Sequence, residues 1–372
     1  MTSRTKIGDL QHAAGQSLII GFDGTEISPQ VSSLLACVQP AGVILFARNI
    51  VSPQQTYELL QACKRLIKVP PFLCVDMEGG LVDRLKKAIA PAPSPAAVFA
   101  TSDRKLFRRH GIIIGEECRA VGFNIDFAPV SDLAFPASRT VMSSRAVSSN
   151  PRQTILYVRE FLKGLTAAGV RGCGKHFPGL GEGNLDSHTH LPVIQKSWKK
   201  LWTEDLLPYR TLRREYPIVM VSHAAYPAVT GDNAPASLSR KWITDVLRKK
   251  IGFRGIIASD DLEMGGALSA GSIDQVAVEH VRAGGNLGLV CHKEEFVMSS
   301  YEALIQEAER NRKFAARLTE SANHVTTFKK RHSEIFKRVT APTVGRMESI
   351  SRRMWEFSEQ VRLQTLGRPE SA

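Results

Sequence analysis

Gly255–Met264, GIIASDDLEM, opens as an unbroken apolar run and ends in two adjacent carboxylates. A strand wetted on one face would alternate polar and apolar residues. A continuous run suits a parallel strand covered on both faces. Neighbouring side chains on a strand point to opposite faces. One acid therefore enters whatever the strand ends surround, and the other turns away. Asp261, at the start of the next helical stretch, reads as the structural member, a helix cap. Asp260 reads as the chemical member, a nucleophile or a metal ligand.

The pattern recurs. Ser17–Phe22, Gly42–Ala47, Pro71–Met77, Asn124–Leu133, Gly169–Phe177, Pro217–Ala224 and Asn286–His292 join Gly255–Leu262 to make eight short apolar, β-branched segments. Intervening stretches such as Pro53–Lys68 and Pro151–Ala168 place apolar residues three and four apart, the spacing of amphipathic crossover helices. Eight strand–helix units in about 300 residues predict the α/β class and a single-domain (β/α)8 TIM-type barrel over residues 1–335. A doubly wound sheet uses the same alternation but rarely needs eight strands so evenly spread. Asp76, Glu78, Asp132, Lys175, His176, Ser222, His223, Asp260 and Asp261 all fall at or just past strand C-terminal ends, the rim that carries the active site in such barrels. Beyond about Glu295 the chain reads as helical and basic. Tyr301–His332 is expected to close the barrel, and 336–372 to form a basic, helical or partly disordered tail with little apolar periodicity after Ser351.

The chain has 372 residues, 43% apolar and 23% charged, the composition of a folded globular protein. No apolar run approaches the roughly 20 residues that span a bilayer, and the start lacks an export pattern, so the expected location is cytoplasmic. The six cysteines show no ligand-like spacing, and Cys74, Cys173 and Cys291 sit within apolar runs as small core residues. The net charge of +13 comes without a stripe of basic residues interleaved with aromatics, which argues against nucleic acid as a partner. It leaves an attraction for acidic substrates, or a solvated basic surface. Oligomeric state has no signature here.

The loop after the fifth segment, Lys175–Pro192, reads KHFPGLGEGNLDSHTHLP. Asp186 lies two residues before His188, close enough to hydrogen-bond its ring, fix the tautomer and raise its pKa for proton exchange near neutrality. The same residues could make an ordinary polar loop with an Asx-turn. Around them, Lys175, His176 and Arg145 are donors and Asp76 and Glu78 acceptors. A metal set could be drawn from Asp76, His176, His188, His190 and His223, but ligands on a glycine-rich loop are poorly preorganised. No metal and no cofactor are expected.

Together these segments resemble glycoside hydrolase family 3, in particular its bacterial single-domain β-N-acetylglucosaminidases. The resemblance runs in order over roughly residues 15–295: GVILFARNI at 42–50, DMEGGLVDRL at 76–85, FAPVSD at 127–132, the whole of 175–192, DLLPYR at 205–210 and SDDLEM at 259–264. It implies a retaining exo-β-N-acetylglucosaminidase that removes terminal β-linked GlcNAc from oligosaccharides or peptidoglycan-derived muropeptides in cell-wall recycling, without metal or membrane. It further implies Asp260 as nucleophile, His188 as acid/base with Asp186 as its partner, and Asp76, Arg145, Lys175 and His176 as sugar ligands. Leu81, Met77, Leu180, the pair Glu182-Gly183 and Asn286 depart from the family pattern. Leu81 and Leu180 are expected to remove polar groups near the sugar. A β-glycoside phosphorylase of the same family and a non-catalytic sugar-binding descendant are the competing readings.

Overall fold

The computed structural model describes residues 7–183, 185, 187 and 189–366. Asp186 and His188 lie outside the described residues.

All eight expected segments form strands, which we number β1 (Leu18–Ile20), β2 (Gly42–Ile44), β3 (Phe72–Val75), β4 (Ile125–Asp126), β5 (Arg171–Phe177), β6 (Ile218–Val221), β7 (Ile256–Asp261) and β8 (Leu287–Val290). They close into one parallel barrel in chain order, with β1 pairing both β2 and β8. β4 is far shorter than the apolar run 124–133 suggests. Pro129, after a cis Ala128–Pro129 bond, has no N–H to give the ladder, and pairing resumes only as the isolated Val130–Lys175 bridge. The crossover helices begin as their sequences indicate. Ser52 and Asn150 cap Pro53–Leu66 and Pro151–Ala167, each with proline in the first turn.

The apolar runs look continuous because two cores share them. Ile19, Phe72, Cys74, Ile125, Cys173, Ile218, Met220, Ile256, Ala258, Leu287 and Leu289 fill the barrel interior, which Phe328 closes at the N-terminal end against Phe72. Their neighbours Leu18, Ile20, Leu73, Val75, Val219, Val221, Ile257 and Val290 pack outward under the helices. Inward and outward residues therefore alternate along the strands up to the rim, where β5 departs from the alternation: Phe177 packs outward although it shares the parity of the inward Cys173, and Lys175 and His176 both line the mouth. Gly174 keeps β5 in place beside the Tyr216 ring, which a Cβ at that position would approach to 2.3 Å.

The C-terminal region is helical and departs from expectation in one respect, the apolar periodicity of its last helix. Glu294–Arg310 and Arg312–Arg331 are separate helices, with Asn311 capping the second. The last helix, Val344–Thr365, carries a clear apolar stripe: Ile350, Met354, Phe357 and Val361 are all buried, at spacings of four, three and four. It packs on the Arg104–Val121 helix, where Arg109 lies over the Phe357 ring and donates to Gln360, and Arg353 pairs with Glu116. The stripe is hard to read in sequence because Arg352, Arg353, Glu356 and Glu359 are interspersed with serines and Gln360 between its members, and the apolar Trp355 falls off it. Among the described residues no helix is long and apolar enough to cross a membrane. The six cysteines are free thiols and five are buried.

Candidate active site

On β7 the adjacent acids are separated by parity. Ile256 and Ala258 point into the barrel, so Asp260 follows them inward. Asp261 also borders the mouth cavity but is engaged by neighbours: its Oδ1 accepts the Glu263 N–H at 3.1 Å and its Oδ2 lies 3.2 Å from His292 Nε2. Asp260 Oδ1 accepts the Asp261 N–H at 2.9 Å. Burial opposes ionisation of Asp260, but His176, His223, that N–H and Lys175 outweigh it and hold the carboxyl below its ordinary range. Burial itself pushes His223 down, so its ring is a neutral dipole there rather than a full charge. Its Nε2–H donates to the Asp261 carbonyl (2.8 Å), which leaves Nδ1 to accept the Ser237 hydroxyl (2.7 Å). The result is an ionised, inward-facing carboxylate held by fixed partners.

β3 and β5 supply the opposite wall by the same rule. Phe72 and Cys74 point inward and Asp76 continues their row; Cys173 points inward and Lys175 continues its own. Lys175, 3% exposed, bridges Asp76 (2.8 Å) and Glu78 (2.7 Å). Glu78, 1% exposed, also accepts a bidentate pair from Arg145, 2.8 Å on each oxygen. His176, joined to Lys175 by a cis peptide bond, donates Nδ1–H to Asp132 Oδ2 at 2.7 Å. Asp132 also accepts the backbone N–H groups of His176 (3.1 Å) and Leu180 (2.7 Å). Asp76, Arg145, Lys175, His176 and Asp260 thus line one cavity of about 140 Å³ at the C-terminal mouth of the barrel. Five of the seven residues singled out from sequence are brought together; Asp186 and His188 lie outside the described residues.

Glu78 and Asp132 carry more than sequence reasoning assigns them. Glu78 appears there as an acceptor at the rim and Asp132 as a polar rim position alone, yet between them they hold Lys175, Arg145 and His176. Parity gives a usable signal for Glu78, which extends the inward row of Phe72, Cys74 and Asp76. It gives none for Asp132, because the cis-proline turn resets the register. Burial alone would raise the Glu78 carboxyl, but Arg145 and Lys175 hold it well below the carboxylate range. Its stabilising effect is therefore present above the unfolded carboxylate pKa of about 4.3 and is lost as pH falls through the lower folded value. Glu78→Gln leaves two buried cations short of a counter-charge. It should cost about 3–5 kcal/mol in denaturant unfolding at pH 7, with a smaller difference from the parent at acid pH. Equal stability at pH 7 would show that the pair is solvated.

The loop 178–192 is fixed at both ends. Lys196, buried against the Phe135 ring, holds Glu204 (2.6 Å), Asp205 (2.7 Å) and the loop's own Glu182 (3.3 Å). Gly179 adopts a left-handed conformation, and a Cβ there would meet Asp205 at 2.7 Å. At the far end the Gly266 N–H donates to Ser187 O at 3.1 Å, and a Cβ on Gly265 would meet Thr189 O at 2.6 Å. Ser187 and Thr189 thus seat on the glycine pair that follows β7. The two expected departures near the sugar resolve differently. Leu180 is buried and lines the cavity as an apolar wall, whereas Leu81 is 62% exposed on the hairpin of Met77–Gly79 and Val82–Asp83, outside the cavity lining. Asn286 is buried away from the cavity, where its Oδ1 accepts from Ile257 N–H and Arg248. Among the described residues no group of three or more His, Cys, Asp or Glu is placed to hold a metal ion.

Residues 2–328 match the family model for the glycosyl hydrolase family 3 N-terminal domain. The chain is 36% identical over 277 residues to a β-hexosaminidase of Pseudomonas aeruginosa, covering 74% of this chain and 82% of that one. It is likewise 36% identical over 287 residues to a β-hexosaminidase of Alkalilimnicola ehrlichii, covering 75% and 82%. In structure it is similar to a family 3 β-N-acetylglucosaminidase from Paenibacillus sp. str. FPU-7, with a TM-score of 0.88 at 29% identity over 96% of this chain and 69% of that one.

Proposed function

The chain belongs to glycoside hydrolase family 3 and is a β-N-acetylhexosaminidase, and from that premise we propose that it removes terminal β-linked GlcNAc with retention through a covalent intermediate on Asp260. The observation that carries this reading is an ionised carboxylate, inward on β7, facing a cluster of buried donors. Asp76, Arg145, Lys175 and His176 hold the sugar hydroxyls and acetamido group. Charge-assisted hydrogen bonds from partners that Glu78 and Asp132 already orient cost little reorganisation on binding. An Asp260 oxygen attacks C1 while His188, protonated and oriented by Asp186, gives its proton to the departing aglycone oxygen. Water then attacks C1, His188 takes a proton from it, and the C1–Asp260 bond breaks. An imidazole in this role repels the anionic nucleophile less than a second carboxylate would. The physiological substrate that fits this reading is a peptidoglycan-derived muropeptide met in the cytoplasm during cell-wall recycling.

The test is a time course of aryl β-GlcNAc cleavage followed by proton NMR, with and without phosphate. The expected first product is β-GlcNAc in both conditions. First-formed α anomer would overturn the double displacement. A sugar 1-phosphate appearing only with phosphate would make the protein a phosphorylase.

A further inference from the structure

At the opposite end of the barrel from Asp260, where Arg171 starts β5, Tyr216-Pro217 lead into β6 and Gly255 leads into β7, there is a second cavity of about 990 Å³. Its volume is at the upper end of the range for small-molecule sites. Its walls carry five arginines and two glutamates. The glutamates are already neutralised from outside it: Glu215 takes Arg159 on both oxygens at 3.1 and 2.9 Å, and Glu320 pairs with Arg317. Arg171 is matched by Glu334. Arg213, Arg214, Arg254 and Arg331 are exposed and, among the described residues, none of them forms an ion pair. Behind them Arg248 is half-buried, with the neutral Asn286 amide and backbone carbonyls as its partners. Burial first, and then the charges of Arg248 and Arg317, push the cavity's His324 down to about 4.

We infer that this basal cavity is a binding site for a compact polyanion of the oligophosphate class, held by Arg213, Arg214, Arg254 and Arg331. Guanidinium forks match phosphate oxygens two at a time. Unpaired cations gathered in one concavity, rather than spread along a stripe, favour a small multiply charged ligand over a long one. The inference is independent of the sugar chemistry at the other end. It gives part of the +13 net charge a location.

The experiment is calorimetric titration of the full-length protein with sodium tripolyphosphate at about 0.1 M salt, where exposed charges still interact over roughly 10 Å. ATP, inorganic phosphate and a 20-nucleotide single-stranded DNA are the comparison arms. One tripolyphosphate should bind per chain, tighter than phosphate and weaker as salt rises. Arg254→Gln with Arg331→Gln should weaken it by about tenfold or more, as should Arg213→Gln with Arg214→Gln, while aryl β-GlcNAc hydrolysis stays unchanged. Tighter binding of ATP than of tripolyphosphate would identify a nucleotide as the source of the phosphates. Absence of saturable binding, parental affinity retained in both double variants, or DNA binding several chains per strand in preference to tripolyphosphate would overturn the inference.

Discussion

Asp260→Ala should lower kcat for an aryl β-GlcNAc by roughly 10⁴-fold or more, the scale seen when a covalent nucleophile is removed. That factor corresponds to about 5.5 kcal/mol of transition-state stabilisation, more than the loss of a positioning hydrogen bond accounts for. The neighbouring acid is the natural control. Asp261 caps the turn after β7 and pairs with His292, so Asp261→Ala should lower stability and change kcat far less. The missing carboxylate also leaves room for a small anion beside C1. With a highly activated aryl donor, azide should attack C1 of the Asp260→Ala enzyme directly, expel the phenolate and leave an α-glycosyl azide. A rescued product of inverted configuration places the attacking atom where the carboxylate stood. Comparable turnover in Asp260→Ala, or a larger loss in Asp261→Ala, would sink the assignment.

The legibility of the molecule follows from how widely each feature is spread. Eight buried strands are readable because burial on both faces writes long apolar runs, as in GIIAS before Asp260, and no other secondary structure tolerates so many β-branched residues in such short, regularly spaced runs. The individual site residues are readable because chemistry restricts them to polar types at strand ends. What stays hidden depends on partners distant in sequence. Glu78 matters through Arg145 and Lys175, 67 and 97 residues away, and Asp132 through His176, 44 residues away. Leu81 looks like a site residue by its place in a motif, but the hairpin turn carries it out to solvent. The Ile350–Val361 stripe is hidden for the opposite reason: its four apolar residues are diluted by charges, and only the surface of the Arg104–Val121 helix shows what they are for.

For His188→Ala the expected result is a loss that depends on the leaving group. With an aglycone of high pKa, such as an alkyl or sugar alcohol, bond cleavage needs a proton in the transition state, and kcat/KM should fall by roughly 10²–10⁴-fold. With a dinitrophenyl leaving group, already stable as an anion, kcat/KM should change little, because that ratio reports the first step alone. The second step still needs a base. In the variant kcat for the activated substrate should therefore fall while kcat/KM holds, and the glycosyl-enzyme should accumulate as a burst of phenolate equal to the enzyme concentration. Such a split separates acid/base chemistry from mere damage to the loop. The loop's anchors at Glu182–Lys196 and at Ser187–Gly266 do not involve the imidazole, so truncating the ring should leave them in place. Damage to the loop would lower kcat/KM for every aglycone alike, and an equal loss across the leaving-group series would remove His188 from the mechanism.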